Sequence, residues 1–146
     1  MKPYEFFNEE EKEKIIQAIR KAELNTSGEI RVHIEGKCIG EVLDRAAYVF
    51  EQLGMHKTKL RNGLLFYTVI ENRKFAILGD AGINAVVPGN LWDEIKNLIL
   101  DQFKKGEFAE GLAKGILMAG EQIKKYFPHR QDDVNELPNE ISYGLE

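Results

Sequence analysis

One cysteine, Cys38, stands in the 146 residues. No intrachain disulfide can form, and a reducing compartment is the natural setting, so the expected location is cytoplasmic. No run approaches the ~18 apolar residues that a bilayer crossing needs, and the opening MKPYEFFNEEEKEKII turns acidic where a secretory leader needs an apolar stretch. Membrane insertion and export are not expected. Excess positive charge is missing too. The net charge is −4, and Asp132, Asp133, Glu136, Glu140 and Glu146 fall in residues 131–146 without a Lys or Arg, which leaves about +1 on the remainder. That is too near neutral for the broad basic footprint of a nucleic-acid binder, and no nucleic-acid partner is expected. The chain also lacks a GxxxxGK[ST] loop, a GxGxxG turn and an HExxH helix, and His33, His56 and His129 are too scattered for a local zinc pattern.

What is present is globular composition: 43% hydrophobic and 30% charged residues, in a length that buries one core without staples. Asn8 and Glu11 have capping-box spacing, and Ile15, Ile19 and Ala22 follow on one face, predicting a helix over 9–24. After Asn25-Thr26-Ser27-Gly28, Ile30, Val32 and Ile34 alternate with Arg31, His33 and Glu35, the pattern of a half-buried strand. Val42, Ala46, Val49, Phe50 and Leu53 predict a helix over 40–53 that ends at Gly54. LLFYTVI at 64–70 reads as a strand covered on both faces, and 75–78 as a second strand hairpinned to it. Two more helices follow, one opened by Asn90 as N-cap and one over 107–127 carrying Gly111, Gly115 and Ala119 at four-residue spacing. Those small residues predict close backbone packing rather than a binding groove. The fold class is α/β: a three-layer α/β/α sandwich with a small mixed sheet of three to four strands. One domain is assigned to 1–127, with 128–146 an acidic, mobile tail, although Ile141, Tyr143 and Leu145 keep docking open.

Helix 40–53 between the first two strands makes them parallel, and the hairpin reverses the third. The start of strand one, the start of strand two and the end of strand three then share one rim, where Thr26, Ser27, Glu29, Arg61, Asn62 and Asp80 meet. Within ILGDAG, Asp80 reads first as a turn former between permissive glycines. The functional alternative makes it a catalytic candidate, or a metal ligand with Glu29 and Asn62, because Ca2+ and Mg2+ prefer such oxygens. The preceding loop supplies Lys57, Lys59 and Arg61. It reads as a solvated connection or, with Asn62 and Ser27, as a ligand-binding site for a small anion; Arg61 can instead pair with Asp80 or Glu29. Cys38 reads as a small buried thiol and Trp92 as a core or rim residue.

In order and spacing, TSGEI at 26–30, Asn62-Gly63 opening the second strand, Arg73 in the hairpin, GDAGI at 79–83 and Gly106-Glu107-Phe108 leading to Gly111 resemble the TPM domain family, which includes thylakoid-lumen phosphatase-like and photosystem II repair proteins. The resemblance spans about residues 9–127 and implies an α/β/α sandwich, with acid phosphatase activity in some relatives, calcium binding in others, and assembly or repair roles in others again. Asn62 and Asp80 match positions near that family's proposed site. Arg61 departs from it, standing where many relatives carry an acidic residue and raising the electrostatic cost of a nearby cation. Many relatives also carry an export signal and a membrane segment, so this chain resembles a stand-alone cytoplasmic version. The expected function is a binding or assembly module acting on a small anion or protein partner through the rim cluster. The alternative is a divalent-metal-assisted phosphatase.

Overall fold

The computed structural model describes residues 2–71, 73–129 and 136–144. A first helix, α1 (Glu9–Glu23), opens with the expected capping box: Asn8 accepts from the Glu11 amide, and the Glu11 carboxylate accepts from the Asn8 amide. Two orphan donors of the first turn are thereby satisfied. Strand β1 (Glu29–Glu35) follows, then α2 (Val42–Gln52), β2 (Gly63–Val69) and β3 (Lys74–Gly79). Next come α3 (Ala81–Asn84), α4 (Gly89–Lys104), α5 (Phe108–Ile123) and a short strand, β4 (Ser142–Tyr143).

The sheet order is β3-β2-β1-β4, with β1 parallel to β2 and to β4 and β3 antiparallel to β2. The hairpin between β2 and β3 turns through Arg73 at φ +49°. Ile30, Val32, Ile34, Leu64, Phe66 and Phe75 face one core, shared with α1, α4 and α5. Leu65, Tyr67, Val69 and Ala76 face a second core, closed by Ala46, Val49 and Phe50 of α2. Period-2 alternation in strands covered on both sides produces this division, and the three layers follow from it.

The glycines of α5 act by close approach. A Cβ on Gly111 would lie 2.5 Å from Gln102 Cβ, and one on Gly115 would lie 2.5 Å from Ile99 Cδ1, both on α4. A Cβ on Gly120 would press on Ala22 of α1. Absent side chains set the spacing of this helical layer.

Several expectations are corrected. The N-cap of α4 is Pro88, not Asn90, which lies inside the helix, and α5 ends at Ile123 rather than continuing to 127. The polar face of β1 is buried rather than solvated: Glu29, His33 and Glu35 are at most 4% exposed. The tail assigned to 128–146 is not free where it is described. Leu137 and Ile141 are buried, β4 pairs with His33 and Ile34, and Gly144 donates its amide to the Ile34 carbonyl. The apolar residues of that segment have a sheet edge to join, which outweighs its acidic composition; Leu145 and residues 130–135 lie outside the described residues. Among the described residues, no helix is long and apolar enough to cross a membrane.

Candidate functional site

β1 and β2 start, and β3 ends, at a single rim, with Glu29 in register with Gly63 and Leu64 with Gly79. The rim has two halves, one at the end of β3 and one at the start of β1, with β2 between them.

On the β3 side, Asp80 ends the strand and caps the four-residue α3, its Oδ1 accepting from the Ala81 amide at 2.8 Å. Arg61 grips the same carboxylate with both prongs, Nε to Oδ2 at 2.7 Å and Nη2 to Oδ1 at 2.8 Å. Arg61 itself sits at φ +51°. The loop carrying it lies so close to α3 that a Cβ on Gly82 would run into the carbonyl oxygens of Leu60 and Arg61, while the Gly82 amide donates to Arg61 at 2.8 Å. ILGDAG is therefore a packed corner, in which one glycine admits a neighbouring backbone and the aspartate ties that backbone down. Burial alone would raise the Asp80 pKa, but the Arg61 guanidinium and the Ala81 amide outweigh it and hold the carboxyl below its usual range.

Because Arg61 is half exposed, the clamp is expected to contribute modestly: Asp80→Ala should cost ~1–2 kcal/mol, chiefly through the lost cap and ion pair. Urea melts compared at pH 7 check this. A cost above ~4 kcal/mol would require a partner beyond Arg61 and Ala81.

On the β1 side, Asn62 donates Nδ2–H to the Ser27 carbonyl at 3.2 Å, and its own carbonyl accepts from the Glu29 amide at 3.2 Å. Thr26 Oγ1 donates to the Phe127 carbonyl, and the Ser27 amide donates to the same oxygen, fixing the approach to β1. Glu29 is 3% exposed, and its Oε1 accepts from the Glu136 amide at 2.7 Å. Glu136 in turn accepts the Lys59 amide. At this end Ser27 Oγ and Asn62 Oδ1 are buried with no hydrogen-bond partner among the described residues, and the buried Glu29 Oε2 has none there beyond the proton its carboxyl can share with Glu23.

Beside them opens a cleft of about 540 Å3 lined by Arg20, Glu23, Ser27, Glu29, His129 and Asn139 among others. Glu23 accepts from the Ile30 amide at 2.8 Å. Burial pushes Glu23 up to about 8; the Ile30 amide works against that rise and the neighbouring Glu29 adds to it. Burial likewise lifts Glu29 to about 7, opposed by the Glu136 amide and reinforced by the Glu136 charge. Two carboxyls at such values share a proton readily at neutral pH.

The expected site residues are thus divided. Ser27, Glu29 and Asn62 come together, and Arg61 pairs with Asp80. Asp80 is two strands from Glu29, a separation of about 10 Å at ordinary strand spacing, so the Asp80–Glu29–Asn62 set does not present its oxygens to one point. Lys57 and Lys59 are exposed. Among the described residues, no group of three or more His, Cys, Asp or Glu is placed to hold a metal ion. The cleft's own oxygens of the right chemistry for a hard cation are those of Glu23, Glu29 and Ser27, with only two carboxylates among them, and Asn62 Oδ1 is buried behind its lining.

Sequence reasoning missed Glu23 and Glu136, and it missed a second buried cluster. Glu35, fully buried, accepts from Arg45 (Nη2 at 2.7 Å), Tyr67 (Oη at 2.5 Å) and His33 (Nε2 at 3.1 Å). Ser142 Oγ lies 2.7 Å from His33 Nδ1. The only sequence signal was a tyrosine within an apolar strand and a glutamate ending a neighbouring one.

Comparison with known proteins agrees with this architecture. No curated protein matches the chain at a significant level. Among solved structures, BA42 from the psychrophilic bacterium Bizionia argentinensis is 52% identical with a TM-score of 0.90, covering 96% of this chain and 97% of that one. The N-terminal domain of a P. gingivalis protein superposes with a TM-score of 0.69 at 22% identity, covering 87% of this chain and 83% of that one. An N-terminal domain from Corynebacterium glutamicum reaches 0.64 at 12% identity, covering 93% and 80%. The last two speak for the fold alone. The model of the TPM domain matches residues 1–122, and with the identity to BA42 it establishes that the chain belongs to the TPM domain family.

Proposed function

We propose that this domain is a binding module, and that its ligand enters the cleft where β1 begins, bringing positive charge or hydrogen-bond donors to the oxygens of Glu23, Glu29 and Ser27, with Asn62 behind them. The observation that carries this reading is a set of buried oxygens at one rim, Ser27 Oγ and Asn62 Oδ1 without a partner among the described residues and Glu29 beside a second buried carboxyl, Glu23. A buried acceptor without a donor costs free energy, and a ligand that supplies the donor or a cation recovers it. The reading moves the ligand away from the Lys57–Lys59–Arg61 loop, because Arg61 is spent on Asp80. It also reverses the expected charge of the ligand from anion to cation.

Calcium and magnesium ions serve as probes. Titrated into the protein at pH 8, either ion is expected to shift the amide resonances of residues 27–30 and 62, with weak affinity because only two carboxylates are present. Glu29→Gln should abolish those shifts, while Asp80→Asn should leave them in place. Affinity should fall as the pH is lowered to 6, since a cation displaces the shared proton. Shifts confined to Asp80 and Arg61, or none in either half of the rim, would defeat the reading. Turnover of a phosphate monoester that depends on Glu29 and the added ion would favour metal-assisted hydrolysis in its place.

A further inference from the structure

β3 ends the sheet, and no described element pairs with its outer side. The Asp80 amide donates to the Gly63 carbonyl at 2.9 Å, so alternation assigns Leu78, Ala76 and Lys74 the bonds to β2 and turns the peptide groups of Phe75 and Ile77 outward. At the Gly79 end the edge is closed, because Asn84 Nδ2 donates to the Gly79 carbonyl at 2.8 Å. Along the open part the two helical layers overhang the strand. Trp92, Lys96 and Leu100 of α4 stand on one side and Val42 and Leu43 of α2 on the other, enclosing a groove of about 350 Å3. Leu43 is 62% exposed, and the indole Nε1 of Trp92 is buried without an acceptor among the described residues.

We infer that this groove accepts an extended, acidic segment of another protein as a fifth strand beside β3. An added strand satisfies the outward peptide groups, and the helical walls take its alternate side chains, as in other cases of strand addition. Charge selects the occupant. Among the described residues, Arg73, Lys74 and Lys96 line the groove against the single carboxylate of Asp93. Two copies of this chain joined edge to edge would set those cations against one another, whereas a segment bearing carboxylates pairs with them. The inference stands independently of the cleft at the start of β1, which lies across the sheet.

The probe is the octapeptide acetyl-EEVTVYVE-amide, titrated into the isotopically labelled full chain. Expected are shifts at the Phe75 and Ile77 amides and at the Trp92 indole N–H, with slowed amide exchange at the first two. Lys74→Glu combined with Lys96→Glu should weaken binding up to about tenfold, the sum of two partly exposed ion pairs. Proline at the peptide's central valine should remove binding, because a donor is lost from the new ladder. These peptide-side changes need no variant of the protein to fold. Three results would overturn the inference. The first is no response at β3 up to millimolar peptide, as expected if the lysines only guard an idle edge. The second is equal binding of acetyl-KKVTVYVK-amide. The third is concentration-dependent dimerisation through β3 in light scattering, which would make the occupant a second copy.

Discussion

Glu35→Ala is expected to cost this fold ~3–5 kcal/mol, the range for removing one member of a buried, hydrogen-bonded charge cluster. Glu35 is fully buried and is the common acceptor for Arg45, Tyr67 and His33. Burial alone would push its carboxyl up, but the hydrogen bonds from His33, Arg45 and Tyr67 together outweigh that and hold it at about 2. The carboxylate is therefore ionised in any ordinary buffer, and because a carboxylate only accepts, His33 must carry its proton on Nε2. Truncating it strands three donors at once. Arg45 is 24% exposed and can turn to water, whereas the Tyr67 hydroxyl and the His33 ring are enclosed, stacked with centroids 5.9 Å apart. Most of the cost falls on those two groups. Thermal melts should show a drop of roughly 10 °C or more. Glu35→Leu combined with Tyr67→Phe should recover part of the loss, since removing both partners spares the unsatisfied hydroxyl. A cost under ~1 kcal/mol for Glu35→Ala would show that water enters freely and the cluster is not a structural anchor. The sign with pH follows from the depressed value: the contribution is present above the unfolded carboxyl's ordinary pKa and fades as pH falls toward 2.

This cluster also marks where sequence reasoning stopped. Elements whose cause is local were legible. The capping box of α1 lies within four residues, the apolar run of β2 announces burial on both faces, and the glycines of α5 imply a close neighbour. Topology followed from connection lengths, and with it the sharing of a rim by residues as distant as Ser27 and Asp80. What could not be read were the partners. A strand that alternates Ile30, Val32, Ile34 with Arg31, His33, Glu35 has the same pattern whether its polar face meets water or a tyrosine, an arginine and a returning tail. The groups that make burial affordable, Arg45, Tyr67 and Ser142, lie ten, thirty-two and over one hundred positions from Glu35. Likewise the sequence offers Arg61 both Asp80 and Glu29, and it is the packing of the Arg61 loop against α3 that divides the rim into a clamped half and an open one. The acidic composition of 131–146 pointed to solvent, while the alternation of Ile141, Tyr143 and Leu145 carried the opposite signal and was outweighed.

With divalent ions chelated, the protein is expected to lose ~2–3 kcal/mol of stability between pH 5 and pH 9 through Glu23 and Glu29, a figure reduced for the access of solvent to the cleft. Their folded values, about 8 and about 7, lie above the ordinary range. A raised carboxyl holds its proton in the native state where the unfolded chain has released it. Its stabilising contribution is therefore complete below the unfolded pKa, near 4.3, and disappears as pH rises through 7 and 8. The two titrate as a pair, so the loss should come as one broad transition rather than two steps assignable to single residues. Ionisation also sets Glu29 against Glu136, whose amide it accepts; exchange of amides in 136–144 should accordingly quicken over the same interval. Glu23→Gln keeps a neutral side chain of the same shape at every pH. It should flatten the profile and leave the variant more stable than the unaltered protein at pH 9, with little difference at pH 5. The measurement is the urea midpoint at five or six pH values with and without excess calcium. If the unaltered protein is instead equally stable at pH 5 and pH 9 in chelator, the two carboxyls are solvated like surface groups, and the cleft has no unmet demand for a cation. A profile that is flat only with calcium present would tie the cleft's two acids to the ion that replaces their proton.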